Sequence, residues 1–130
     1  MAIEKYEVTL TSGSAGATAT ATINPIFGKL LKIIVENDAT DQPDNDWDLT
    51  IYQGTASGPD YDPIFVDAGV SQVKTAAVVY HPVIAASMAV DGSASSLTEV
   101  SPVLHNLITI TGGNMGNSKI ARVKLLVEVT

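Results

Sequence analysis

Apolar and polar residues alternate with a period of two through most of the 130-residue chain. That period places successive side chains on opposite faces of an extended backbone and predicts strands. In "KYEVTLTS", Tyr6, Val8 and Leu10 share one face and Glu7, Thr9 and Thr11 the other. "SGSAGA" at 12–17 reads as a flexible turn. "ATATATI" resumes the alternation, with Ala17, Ala19, Ala21 and Ile23 against Thr18, Thr20 and Thr22, until Asn24 and Pro25 end it. "KLLKIIVEN" places Leu31, Ile33 and Val35 on one side and Leu30 and Ile34 on the other, so it predicts a central strand.

"NDATDQPDND" is a loop by composition, and "WDLTIYQG" then sets Trp47, Leu49 and Ile51 against Asp48, Thr50 and Tyr52. After a second loop, "TASGPDYDP", a short strand is expected at "IFVDAG". "QVKTAAVVYHPV" follows, with Val73, Thr75, Ala77 and Val79 on one face and Pro82 stopping the ladder. A turn of helix fits 65–80 and 83–90, but no segment shows an apolar stripe at helical spacing with caps at both ends. "SMAVDGSASSLTEV" carries an Asp-Gly turn signal. The runs 107–111 and 120–129, separated by a loop rich in Gly and Asn, read as a closing hairpin. Seven to nine short strands spaced by turns predict an all-β, antiparallel β-sandwich or jelly-roll-like fold, with residues 1–130 as one domain.

Composition sharpens this. Apolar residues are 45% of the chain but aromatics only 5%, so the core must come from Val, Ile, Leu and Ala. Charged residues, at 16%, fall below the usual quarter, which implies neutral surface available to a partner. Seven basic against fourteen acidic side chains leave a formal charge of −7, a balance that repels a phosphate backbone and argues against nucleic acid. With no cysteine, a disulfide framework, a thiolate metal site and a cysteine nucleophile are excluded. The opening "MAIEKYEVTL" lacks the unbroken apolar stretch of a secretory signal, and no run approaches the ~18 apolar residues of a membrane span.

The densest acidic patch, "DNDWDLTIYQG", sets Asp44, Asp46 and Asp48 at alternate positions. Calcium loops share that spacing because a tight turn aims several oxygens at one hard cation, but they need a glycine after the third ligand, where Leu49 stands here. Asp48 also alternates with Trp47 in the strand register, which sends its carboxylate away from the turn. A solvated approach to a strand is the reading favoured over a cation site. His81 and His105 are the only imidazoles, neither at ligand spacing from another, and the chain has no serine elbow, phosphate loop or dinucleotide fingerprint. No catalytic, cofactor or metal residue is assigned, and an enzyme is not expected. Trp47, on the apolar side of its strand, is expected in the core.

The segments "SGSAGATATATI", "GKLLKIIVEND", "DWDLTIYQG", "VYHPVIA" and "NLITITGGNMGNSKIARVKLLVEV", in this order, resemble the small β-sandwich proteins that decorate or cement the heads of tailed bacteriophages. The resemblance implies a virion protein on the capsid exterior, assembled in the host cytoplasm, bound to the major capsid protein, commonly as a homotrimer. It implies no cofactor and no contact with nucleic acid or membrane. From loop composition, "MAIEKYEV", "DATDQPDND" and "TASGPDYDP" are the expected contact segments. A carbohydrate-binding or adhesion module is the alternative; it would expose Trp47, whereas an enzyme would set His81 or His105 beside a carboxylate in a cleft.

Overall fold

Where the sequence alternates, the backbone is extended. A computed structural model describes residues 2–14, 16–44, 47–70, 78–82, 84–88 and 94–129. Its strands are β1 (Ala2–Thr11), β2 (Ala19–Ile23), β3 (Gly28–Asn37), β4 (Trp47–Gln53), β5 (Asp62–Val70), β6 (Val78–Tyr80), β7 (Ile84–Met88), β8 (Ala94–Val100), β9 (Val103–Leu104), β10 (Ile108–Gly113) and β11 (Ile120–Val129). One sheet runs β1-β11-β3-β6 with β9 also on β3, and a second runs β2-β10-β4-β5. All pairs are antiparallel. The expected seven to nine strands correspond to the nine of these two sheets; β7 and β8 pair with each other as a separate ribbon. The segments that fitted a turn of helix are strands at 65–70, 78–80 and 84–88, and the rest of them, 71–77, 83 and 89–90, lies outside the described residues.

The two sheets close on each other because each strand turns one apolar row inward. From the first sheet come Leu10, Ile33, Val35, Val123, Leu125 and Val127, and from the second Trp47, Leu49, Ile51, Ile108 and Ile110, all with at most 1% of their surface exposed. The rings of Phe65 on β5 and Tyr80 on β6 meet between the sheets, centroids 4.7 Å apart. In β2 the inward residues Ala19, Ala21 and Ile23 oppose Gly112, Ile110 and Ile108, as the alternation predicts.

Two expectations fail for instructive reasons. β3 is central, but Leu30 is buried with Ile33 and Val35, while Leu31 is half-exposed. A bulge opposite Leu126 and Val127, which pair with Lys32 and Leu30, adds one residue to β3 and moves the leucines to opposite faces from those expected. The closing hairpin does not form either. β10 lies between β2 and β4, and β11 between β1 and β3, so the chain crosses from one sheet to the other. Each strand's apolar row then faces the other across the core, which pairing in one sheet would not permit.

The 114–119 crossing is built by local chemistry. Asn114, Gly116 and Ser118 all have positive φ, and Met115 is driven fully into the core. The Met115 N–H donates to Ala17 O (2.8 Å) and its carbonyl accepts from Asp44 N–H (2.8 Å). The buried Ser12 hydroxyl donates to Gly116 O (2.5 Å) and accepts from Lys119 N–H (2.8 Å). Residues 12–14, 16–18 and 38–44 and the loop 114–119 are thereby tied at one end of the sandwich, the closed pole. The open pole, at the other end, carries turns 24–27, 54–61 and 105–107.

Gly112 faces Met115 and Trp47 at the closed pole, where an added Cβ would stand 2.5 Å from Met115 Sδ and 3.1 Å from the Trp47 ring. Gly112→Ala is therefore expected to lower stability by about 1–3 kcal/mol through overpacking. Urea unfolding followed by Trp47 emission measures it.

Candidate functional site

The two poles differ in chemistry. Of the seven large apolar side chains exposed among the described residues, Val66 and Val79 lie in mid-sheet, while Ile3, Phe27, Tyr61, Val103 and Leu107 all lie at the open pole. The registers place them there. Ile3, Glu128, Lys29 and Val103 form one row across β1, β11, β3 and β9. Phe27 precedes the first residue of β3, Tyr61 the first of β5 and Leu107 the first of β10. Phe27 is 63% exposed and Val103 56%, so nothing described here covers them.

A polar cross-link holds this end in shape. Gln53, the last residue of β4, is buried; its Nε2 donates to Asp62 Oδ2 (3.0 Å) and Val103 O (2.8 Å), and its Oε1 accepts from His105 N–H (2.9 Å). One amide thus joins β4, β5 and β9. Asp60 accepts from Thr55 N–H (3.2 Å) and Asn106 Nδ2 (3.4 Å), and Gly54 N–H donates to Leu107 O (2.9 Å). Tyr61 leans on Tyr52 with ring centroids 5.2 Å apart. Tyr61, Val103 and Leu107 therefore sit on a braced platform, and their burial against a partner would not have to order a loose loop first.

At the closed pole the acids serve the loops. Asp38 accepts from Asp41 N–H (2.9 Å) and Thr40 N–H (3.1 Å) and pairs with Arg122 at 3.3 Å. These backbone N–H groups, then the guanidinium, hold the Asp38 carboxyl below the ordinary aspartate range. Asp44 lies over Gly116, where a Cβ would come within 2.5 Å of its carboxylate, and Asp48 accepts from Asn114 Nδ2 (2.6 Å). Asp44 and Asp48 thus brace the crossing loop. Asp46 falls outside the described residues, and among those described no three His, Asp or Glu side chains are placed to share a metal ion.

His81 and His105 are not brought together. His81 follows β6, which pairs with β3 at 33–35, whereas His105 follows β9, which pairs with it at 28–29. At 3.3 Å per residue their strand positions are roughly 16 Å apart. Trp47 is wholly enclosed, as expected. The three segments read as contact loops are divided: the start of β1 and the 54–61 loop lie at the open pole, the 38–46 loop at the closed one. The sequence reading passed over Phe27, Val103 and Leu107. Its usable signal was an apolar side chain inside each turn-forming stretch, "NPIFG", "SPVLHNL".

Between the poles, the outer face of the second sheet carries the neutral surface that the low charge implies. Thr20, Thr111, Thr50 and Val66 form one row, and Thr22, Thr109, Tyr52 and Pro63 the next. The first sheet's outer face is charged instead, with Lys124 on Glu36 at 2.5 Å. The carboxylate of Glu36 raises the pKa of that ammonium.

No protein-family model matches the chain, and no curated protein matches it. Among solved structures, it is similar to PirA at 9% identity and a TM-score of 0.45, over 93% of this chain and 92% of that one. It is also similar to a chitosan-binding module of a chitosanase/glucanase from Paenibacillus sp. IK-5, at 6% identity and TM-score 0.45, over 93% and 76%. A third is the 60-mer capsid protein of BFDV, at 8% identity and TM-score 0.34, over 96% and 89%. At these values no function follows from them.

Because its pKa is lowered on folding, Asp38 contributes stability above the unfolded aspartate value of about 3.9, and this is lost as pH falls through the folded value. Asp38→Asn keeps the acceptor for Thr40 and Asp41 and removes the charge. The variant is expected to melt below the native chain at neutral pH and to converge with it under strongly acidic conditions. Thermal unfolding across a pH series checks this.

Proposed function

We propose that the chain is a structural docking module of a virion, a decoration or cement protein on the outside of a tailed-phage head, in contact with the major capsid protein. The observation that supports this is the clustering of exposed apolar surface: Ile3, Phe27, Tyr61, Val103 and Leu107 gather at the open pole, around turns cross-linked by Gln53 and Asp60. The apolar cluster gains free energy when it leaves water against a shell subunit, and the net charge of −7 on the chain discourages particles from sticking together. Each contact is small, so retention on the shell comes from many copies and from the water-excluding fit of a few anchors. In this role the chain performs no catalysis and needs no cofactor, nucleic acid or membrane.

A second reading, a carbohydrate-binding or adhesion module, loses its Trp47 platform to the core. It keeps one observation, the exposed Tyr61 beside Tyr52.

The shell reading is tested by sedimenting the purified chain with expanded empty heads from its own source. Co-sedimentation is expected; Phe27→Asp with Val103→Asp should weaken it by about tenfold or more, and Asp41→Lys at the far pole should leave it unchanged. Absence of binding, or indifference to the paired substitution, refutes it. For the second reading, oligosaccharide titration should change tyrosine emission in the native chain and not in Tyr61→Ala; a flat titration removes it.

A further inference from the structure

Each sheet ends in strands whose outer backbone groups lack a strand partner among the described residues. Three of these edges are blunted. β2 has five residues and β6 three, and β5 carries Pro63 and two irregularities in its register with β4. β1 is different: ten residues, no proline, and an unbroken register against β11. Its first four residues, Ala2 to Lys5, are exposed on both faces, held only by the end of β11.

The orientation of its free groups follows from one hydrogen bond. Ser12 N–H donates to Lys119 O (2.9 Å), continuing the β1–β11 register, so the even residues of β1 bond to β11. The N–H and C=O groups of Ile3, Lys5, Glu7 and Thr9 therefore point away from the sheet. We propose that two copies of this chain join by antiparallel pairing of β1 with β1 about a two-fold axis, making one continuous sheet across the dimer.

Charge selects the register. Bonding between outward groups requires odd residues opposite odd residues. Centring on Lys5 places two ammonium groups face to face, and centring on Glu7 places two carboxylates face to face. Centring on Tyr6 puts Lys5 of each copy opposite Glu7 of the other, twice, and brings the two Tyr6 side chains together on the axis. A lone lysine in an edge strand blocks sheet extension; here Glu7, two residues on, converts that block into a self-complementary pair. The two-fold axis directs the open poles of the two copies in opposite directions, so the dimer carries an apolar anchor at each end and could span a seam between neighbouring subunits. The pairing stands whether or not the shell is the partner, because it is read on the isolated protein.

Light scattering on the purified full chain should give twice the 13.6 kDa chain mass at micromolar concentration. Lys5→Glu or Glu7→Lys alone should shift it toward monomer, and the double exchange should restore the dimer. Because the chain has no cysteine, Tyr6→Cys should give a disulfide-linked dimer on mild oxidation. Glu4→Cys and Val8→Cys should not, since their copies would be offset by four residues, roughly 13 Å, beyond disulfide reach. Far-UV circular dichroism and Trp47 emission verify that each variant is folded. A monomeric or trimeric native chain, a double exchange that fails to restore the dimer, or cross-linking at residue 4 or 8 in preference to 6 overturns the proposal.

Discussion

Burial of one apolar row per strand between two sheets is the constraint from which the outer surface follows. Once Leu49 and Ile51 of β4 and Ile108 and Ile110 of β10 face Ile33, Val35, Val123 and Leu125, the intervening side chains must lie on the outer faces of the sheets. The threonine rows of one outer face and the lysine and glutamate pairs of the other are the complement of that core. A shift of one residue in any of these strands would exchange the two sets. The bulge in β3 shows the protein tolerating such a shift locally, where an extra residue lets Leu30 and Ile33 both reach the core.

The poles obey a different rule, because loop backbone groups have no ladder to satisfy them and must find partners among side chains and one another. At the closed pole that role falls to Ser12, Asp38, Asp44 and Asp48: each accepts from, or lies against, the loops it joins. At the open pole the buried Gln53 and the exposed Asp60 satisfy the loops, and apolar side chains stand exposed around them. The result is a molecule with acids at both ends and its exposed apolar residues gathered at one. The docking function proposed above is a use of that polarity.

Strand identity was largely legible, since Tyr6, Val8, Leu10, Ala19, Trp47 and Val123 each lie on the face their alternation assigns. The enclosure of Trp47 was legible for the same reason. The candidate docking surface was not. Phe27, Val103 and Leu107 belong to three separate turns, and nothing within any one of them says that the others lie at the same end.

The sequence by itself therefore determined the all-β class, the strands and most of their inward residues, because a period of two and the chemistry of turns act over a few residues. Tertiary structure decided that β10 and β11 belong to different sheets, that β3 is bulged, that exposed apolar residues from separate turns gather at one pole, and that β1 ends a sheet with its odd residues facing outward. Those facts depend on which strands pair across distances of up to the whole chain, and pairing is chosen by the collective burial of all the rows together.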